Sequence, residues 1–156
     1  MTATLGQNMF SQVPVQGMLD SAPQPSTLPC RVDSSSGGGL VPGQAVKMVD
    51  KAGGTPFIVE CDVDTNDVFG FLEYNIKNQT FEVGDPCDVA MGRGNIMYMT
   101  AGAAIARWAK LEIVVASKKV LTHAGGGQRV IGRALDKAAA DGDLIRVWID
   151  LPGQTS

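Results

Sequence analysis

Between residues 41 and 152 no apolar run continues far before a turn-forming residue interrupts it. The interruptions are Ala52-Gly53-Gly54, the stretch from Asn75 to Gln79, Gly84-Asp85-Pro86, Gly92-Arg93-Gly94, Gly125-Gly126-Gly127 and Asp141-Gly142-Asp143. Glycine, aspartate, asparagine and proline supply the backbone angles of tight turns, so such punctuation divides the chain into short pieces. The pieces between are rich in β-branched and apolar residues. They predict strands at Ala45–Val49, Phe57–Val63, Val68–Tyr74, Cys87–Met91, Asn95–Thr100, Lys110–Ala116, Lys119–Thr122, Arg129–Arg133 and Leu144–Leu151. Many short strands with frequent turns imply an all-β fold, mainly an antiparallel small barrel or sandwich. Two alanine-rich pieces, Ala101–Ala109 and Ala134–Ala140, have helix propensity, and the second stops before Gly142. One or two short helical turns are therefore expected between strands.

Composition changes near residue 40, which divides the chain into an arm (1–40) and a β-rich domain (41–156). Residues 1–40 hold three charged side chains, Asp20, Arg31 and Asp33, but four of the eight prolines, and end in Ser34-Ser35-Ser36-Gly37-Gly38-Gly39. Proline fixes its own φ and pushes the preceding residue toward an extended shape, so this part reads as an extended N-terminal arm. It lacks the charge that keeps a disordered tail solvated. Its apolar groups, Phe10, Val13, Val15, Met18, Leu19 and Leu28 among them, have no local helix or hairpin to bury them. They must dock on the chain's own domain or on a neighbouring molecule, which makes them candidate contact residues. Trp148 joins them, because strand alternation puts it on the face opposite Val147.

Charge and motif narrow the function. Thirteen Lys and Arg against 16 Asp and Glu leave a net charge of −3 and a pI near 5.0, which argues against a nucleic-acid-binding module. No secretory signal is expected from the first residues, MTATLGQNMFSQ, and no apolar stretch is long enough for a membrane helix. Cys30, Cys61 and Cys87 form no Cys-x-x-Cys pair and read as buried thiols of a reducing interior, with pairing of Cys30 across subunits left open. The oxygen-bearing side chains of Asp62, Asp64, Asn66 and Glu73 match the spacing of a calcium loop. Asp67 stands where that loop needs glycine, however, and the flanking helices are missing, so a strand–acidic turn–strand reading is favoured. The glycine stretches at 92–94 and 125–127 lack the Lys-Ser/Thr and following helix of a phosphate loop and read as hairpin turns. His123 is the only imidazole and has no second histidine at metal-ligand spacing. Neither a cofactor nor catalytic residues are expected.

Several stretches carry a resemblance. Pro42-Gly43-Gln44-Ala45-Val46-Lys47-Met48-Val49, followed by Asp67-Val68-Phe69-Gly70-Phe71, resembles the tailed-bacteriophage capsid decoration, or structural cement, proteins. So does Ile131-Gly132-Arg133-Ala134-Leu135-Asp136 running into Asp141-Gly142-Asp143-Leu144-Ile145-Arg146-Val147, and so does the opening from Phe10 to Asp20. The resemblance implies a β-rich domain, oligomeric and often trimeric, that binds the outer surface of the virion head and clamps major capsid protein subunits. Two alternatives remain: another virion structural part, such as a head–tail adaptor or tail tube, and a small β-barrel enzyme or ligand-binding protein using Asp62, Asp64, Glu73 or His123.

Overall fold

The computed structural model describes residues 14–19, 27–62, 68–77 and 79–155. Among them every regular element is a strand. The first five strands are β1 (Thr27–Val32), β2 (Ala45–Val49), β3 (Phe57–Glu60), β4 (Gly70–Leu72) and β5 (Pro86–Met91). They close into a barrel in the order β1-β3-β2-β4-β5. The other five are β6 (Arg93–Thr100), β7 (Lys110–Val114), β8 (Lys119–Thr122), β9 (Arg129–Ala134) and β10 (Leu144–Thr155), which form a sheet in the order β6-β10-β9-β7-β8. Each of the nine strands expected from the turn punctuation is present. The all-β barrel-and-sheet class follows from it.

The tenth strand, β1, falls in the segment read as an arm. It pairs parallel with β3 and antiparallel with β5, and is what closes the barrel. Its prolines disguise it. Arg31 and Asp33 send their N–H groups to the β3 side, to Pro56 O at 3.0 Å and Ile58 O at 2.9 Å, while Val32 donates to Asp85 O on the β5 side. By alternation the missing N–H of Pro29 would point toward β3. That strand begins only opposite Arg31, so no ladder bond is lost. Residues 27–40 thus belong to the barrel, and low charge reports burial here: Cys30, Val32 and Leu40 sit in its interior.

The alanine-rich pieces are not helical. Ile105 and Ala138 exchange two backbone hydrogen bonds of 3.0 Å, Trp108 N donates to Ala134 O at 2.7 Å, and Ala134 N to Ala109 O at 3.1 Å. The two pieces satisfy each other's backbones across space, and Ala101, Ala134 and Ala138 are fully buried. Tertiary pairing overrides helix propensity, which amounts to only fractions of a kcal/mol per residue.

Two cores lie back to back. Val46, Ile58, Leu72, Phe81 and Val89 fill the barrel. Their strand neighbours Ala45, Phe71 and Ala90 point the other way, into a larger core with Met97, Met99, Ile131, Ile145, Val147 and Ile149 of the second sheet. Phe69 and Phe71, two positions apart, part company: Phe71 enters the larger core and Phe69 packs against the barrel cluster, because the β4 pleat begins only at Gly70. The second sheet curls until the end of β6 meets β8, where Gly102 N donates to Val120 O at 2.9 Å.

One glycine in this sheet is sterically required. A Cβ on Gly132 would stand 2.0 Å from Trp148 O, whereas nothing lies within 4 Å of one on Gly54. Gly132→Ala is expected to lower the unfolding free energy by roughly 3 kcal/mol, as overpacked interiors do. Gly54→Ala should stay within about 0.5 kcal/mol of the parent. Urea denaturation followed by tryptophan fluorescence checks both, and equal midpoints would contradict the close-approach account.

Candidate functional site: a strap across the seam and a tryptophan face

Residues 14–19 cross the seam between barrel and second sheet. Gly17 N donates to Tyr98 O at 2.7 Å, Tyr98 N to Met18 O at 2.8 Å, and Leu19 bridges Met97 in antiparallel register. The strap therefore adds a short piece of strand to the β6 edge. On its other side Tyr74 N donates to Gly17 O at 2.9 Å. The Gln16 amide is satisfied three ways: it accepts from Thr100 Oγ1 and donates to Pro42 O at 3.1 Å and Lys118 O at 3.3 Å. Those partners come from β6, the turn before β2 and the turn after β7, so one side chain ties three elements. Gly17 (φ 80°) meets Gly43 (φ 79°) so closely that a Cβ on Gly17 would lie 2.4 Å from Gly43 N.

The expected contact residues are not gathered into one surface. Leu19 is half-buried against the larger core, and Leu28 packs on the barrel core from β1. Met18 is half-buried and Val15 exposed on the strap. Phe10 and Val13 lie outside the described residues. Trp148 stands apart, on the outer face of the second sheet.

That face has a centre the sequence had hidden. Trp108 stacks on Trp148 with ring centroids 6.2 Å apart, and the Arg133 guanidinium lies 5.1 Å from the Trp108 ring. Arg133 pairs with Trp148 across β9 and β10, and Lys110 pairs with Arg133 across β7 and β9. Trp108 itself is 53% exposed. Its position in an alanine-rich, helix-like stretch concealed it; the signal available was a large aromatic between Arg107 and Lys110.

The titratable groups form structural clasps. Asp33 is buried at the β1 exit, where Lys51 Nζ (2.9 Å), Ser35 N (2.9 Å) and Ser35 Oγ (2.8 Å) donate to it. The Lys51 bond first, then the Ser35 donors, hold its carboxyl well below the usual carboxylate range. Burial works to raise Glu60, but donation from Ser36 Oγ and Gly37 N outweighs it and the net shift is downward. Burial, helped by Asp88, raises Glu73. Asp62 pairs with Lys47 at 3.1 Å, while Asp64 lies outside the described residues. Among the described residues no group of three His, Cys, Asp or Glu is placed to hold a metal ion. His123 Nδ1 lies 2.9 Å from Glu112 Oε2, which also accepts from Ala124 N, so the pair fixes the chain as it leaves β8. Cys30 and Cys87 face each other across β1 and β5. Burial pushes their thiols up to about 11 and about 12, and Cys30 is buried within the barrel core.

No family model matches this chain, and no curated protein matches it. Among solved structures it is similar to the N-terminal base of head fibre gp8.5 of bacteriophage phi29. The two share 14% identity and a TM-score of 0.55 over 85% of this chain and 100% of that one. The likeness is one of fold.

Two outcomes are expected. Gly17→Ala should displace the strap and lower stability by roughly 1–3 kcal/mol, with hydrogen exchange at the Tyr98 amide rising most; unchanged protection there would contradict the strap's role. For Asp33 the carboxyl is depressed in the fold, so its contribution is complete above the unfolded value of about 4 and is lost as pH falls below it. Stability should therefore drop more steeply between about pH 5 and 2 in the parent than in Asp33→Asn; parallel acid limbs would show that the clasp contributes nothing.

Proposed function

We propose that the chain is a non-enzymatic structural protein of a bacteriophage head, and within that class a capsid decoration, or cement, protein. In this reading it binds the outer head surface and stabilises contacts between major capsid protein subunits. The carrying observation is the fold shared with the base of a phage head fibre, spanning all of that base. The architecture suits the role physically. Among the described residues a closed barrel leaves no free strand edge in the first half of the chain, and the strap lies along part of the β6 edge in the second. The result is a rigid body able to hold its shape on a lattice under load. The proposal includes a homo-oligomer, a trimer by the family resemblance, in which symmetric copies multiply individually weak contacts.

The fibre-base likeness favours one second reading, the foot of a head fibre rather than a free-standing cement protein. Imaging of particles separates them by whether density continues outward from the bound domain.

The N-terminal residues remain the proposed reach to a neighbouring subunit, with Phe10 and Val13 as anchors. Removing residues 1–36 would take β1 away and open the barrel, so the informative cut comes before Pro14. A chain lacking residues 1–13 is expected to keep its melting temperature and to lose about tenfold or more in affinity for heads prepared without the protein. Co-sedimentation measures it, with light scattering reporting the oligomer. Full affinity after the cut would remove the arm from the mechanism, and no binding by the intact chain would remove the decoration role.

A further inference from the structure

We infer that the outer face of the second sheet, centred on Trp108, Trp148 and Arg133, docks a carboxylate-bearing protein surface; naming the head shell as the owner of that surface rests on the function proposed above. Trp108 has φ 67°, a conformation unfavourable for any bulky side chain. It is held there from both ends: its N–H donates to Ala134 O at 2.7 Å, and its carbonyl accepts from Arg133 Nη1 at 3.0 Å. The strained backbone does not serve burial, because the indole is left 53% exposed. It serves position. Trp148 and Arg133 rise side by side from β10 and β9, and the Trp108 ring lies against both. The result is a raised aromatic plate with few rotamers left to lose on binding.

Charge identifies the partner. Lys110 stands directly across the strands from Arg133, and like charges so placed weaken a sheet. Arg107 is exposed one residue before Trp108. Of the nearby acids, Asp136 is engaged with Arg146 at 2.8 and 2.9 Å and also feels the charge of Arg107, and Glu112, two residues along β7 from Lys110, is taken up by His123 and the Ala124 N–H. A chain of net charge −3 thus keeps cations together around its most exposed tryptophan. Tryptophan and arginine dominate the energetic centres of protein interfaces, and complementary charge steers their encounter. A plate standing proud of the sheet fits an apolar socket rimmed by Asp or Glu; an acidic polysaccharide would be better served by a groove.

Two substitutions separate docking from folding. Trp108→Gly places at φ 67° the residue that tolerates it, and Lys110→Glu replaces a like-charge pair with an attractive one, so both should fold with melting temperatures near the parent's. Trp108→Gly is expected to weaken binding to heads lacking the protein about thirtyfold or more. Lys110→Glu should weaken it about tenfold and flatten its dependence on salt. If the unsubstituted chain does not bind heads, the decoration role and this inference fall together. If it binds and both variants bind equally well with the same salt dependence, only the docking face is overturned. Binding of soluble polygalacturonate that Trp108→Gly abolishes, with head binding intact, would also overturn it and assign the face to an acidic glycan.

Discussion

Everything in this fold depends on one wall that is buried on both sides. Strands β2, β4 and β5 send Val46, Leu72 and Val89 into the barrel and Ala45, Phe71 and Ala90 into the core beneath the second sheet. Alternation lets one strand serve two cores at no extra length, and close packing then couples them, since a change of one side chain's volume is felt on the far side. The small residues on the outer side of the wall matter for this reason. Ala45 and Ala90 let the second sheet approach, and Phe71 is the single large group that keys into it. The strap completes the arrangement by bonding to Tyr98 on one side and Tyr74 on the other, so barrel and sheet are joined by main chain as well as by side chains.

Much of this was legible in the sequence, and the failures have physical causes. Turn chemistry is local, which is why the strands from β2 to β10 could be located, two of them (Ala45–Val49 and Lys119–Thr122) with the expected bounds. β1 was missed because prolines argue against a strand unless it is known which ladder positions lack a neighbour, and that is a tertiary fact. The alanine-rich pieces were misread for a related reason. Helix propensity is intrinsic to a residue, whereas the pairing of Ile105 with Ala138 depends on two segments more than thirty positions apart.

The candidate site was legible only in part. Strand alternation put Trp148 on an outer face, where the structure has it. Nothing in the sequence could bring Trp108 to it, since that contact requires a positive φ at a tryptophan. Low charge in residues 1–40 was read as a segment awaiting a cover. For residues 27–40 the cover is the chain's own barrel, and for 14–19 it is largely the seam between the two sheets. Composition detects burial but not whose surface provides it.

The manner of barrel closure also sets an order of events. β1 lies between β3 and β5, and Cys30 meets Cys87 only after all the intervening chain exists. Strand pairs so distant in sequence form late, because the loop-closure entropy must be met before any contact rewards it. During synthesis β1 leaves the ribosome before the other barrel strands, yet its ladder with β5 spans the longest stretch of chain of any pairing in the barrel. Until that ladder forms, β1 and β5 each present a bare edge, open to the matching strand of another molecule. On its way to the native state the chain therefore passes through an interval in which a second copy of itself is its nearest competitor.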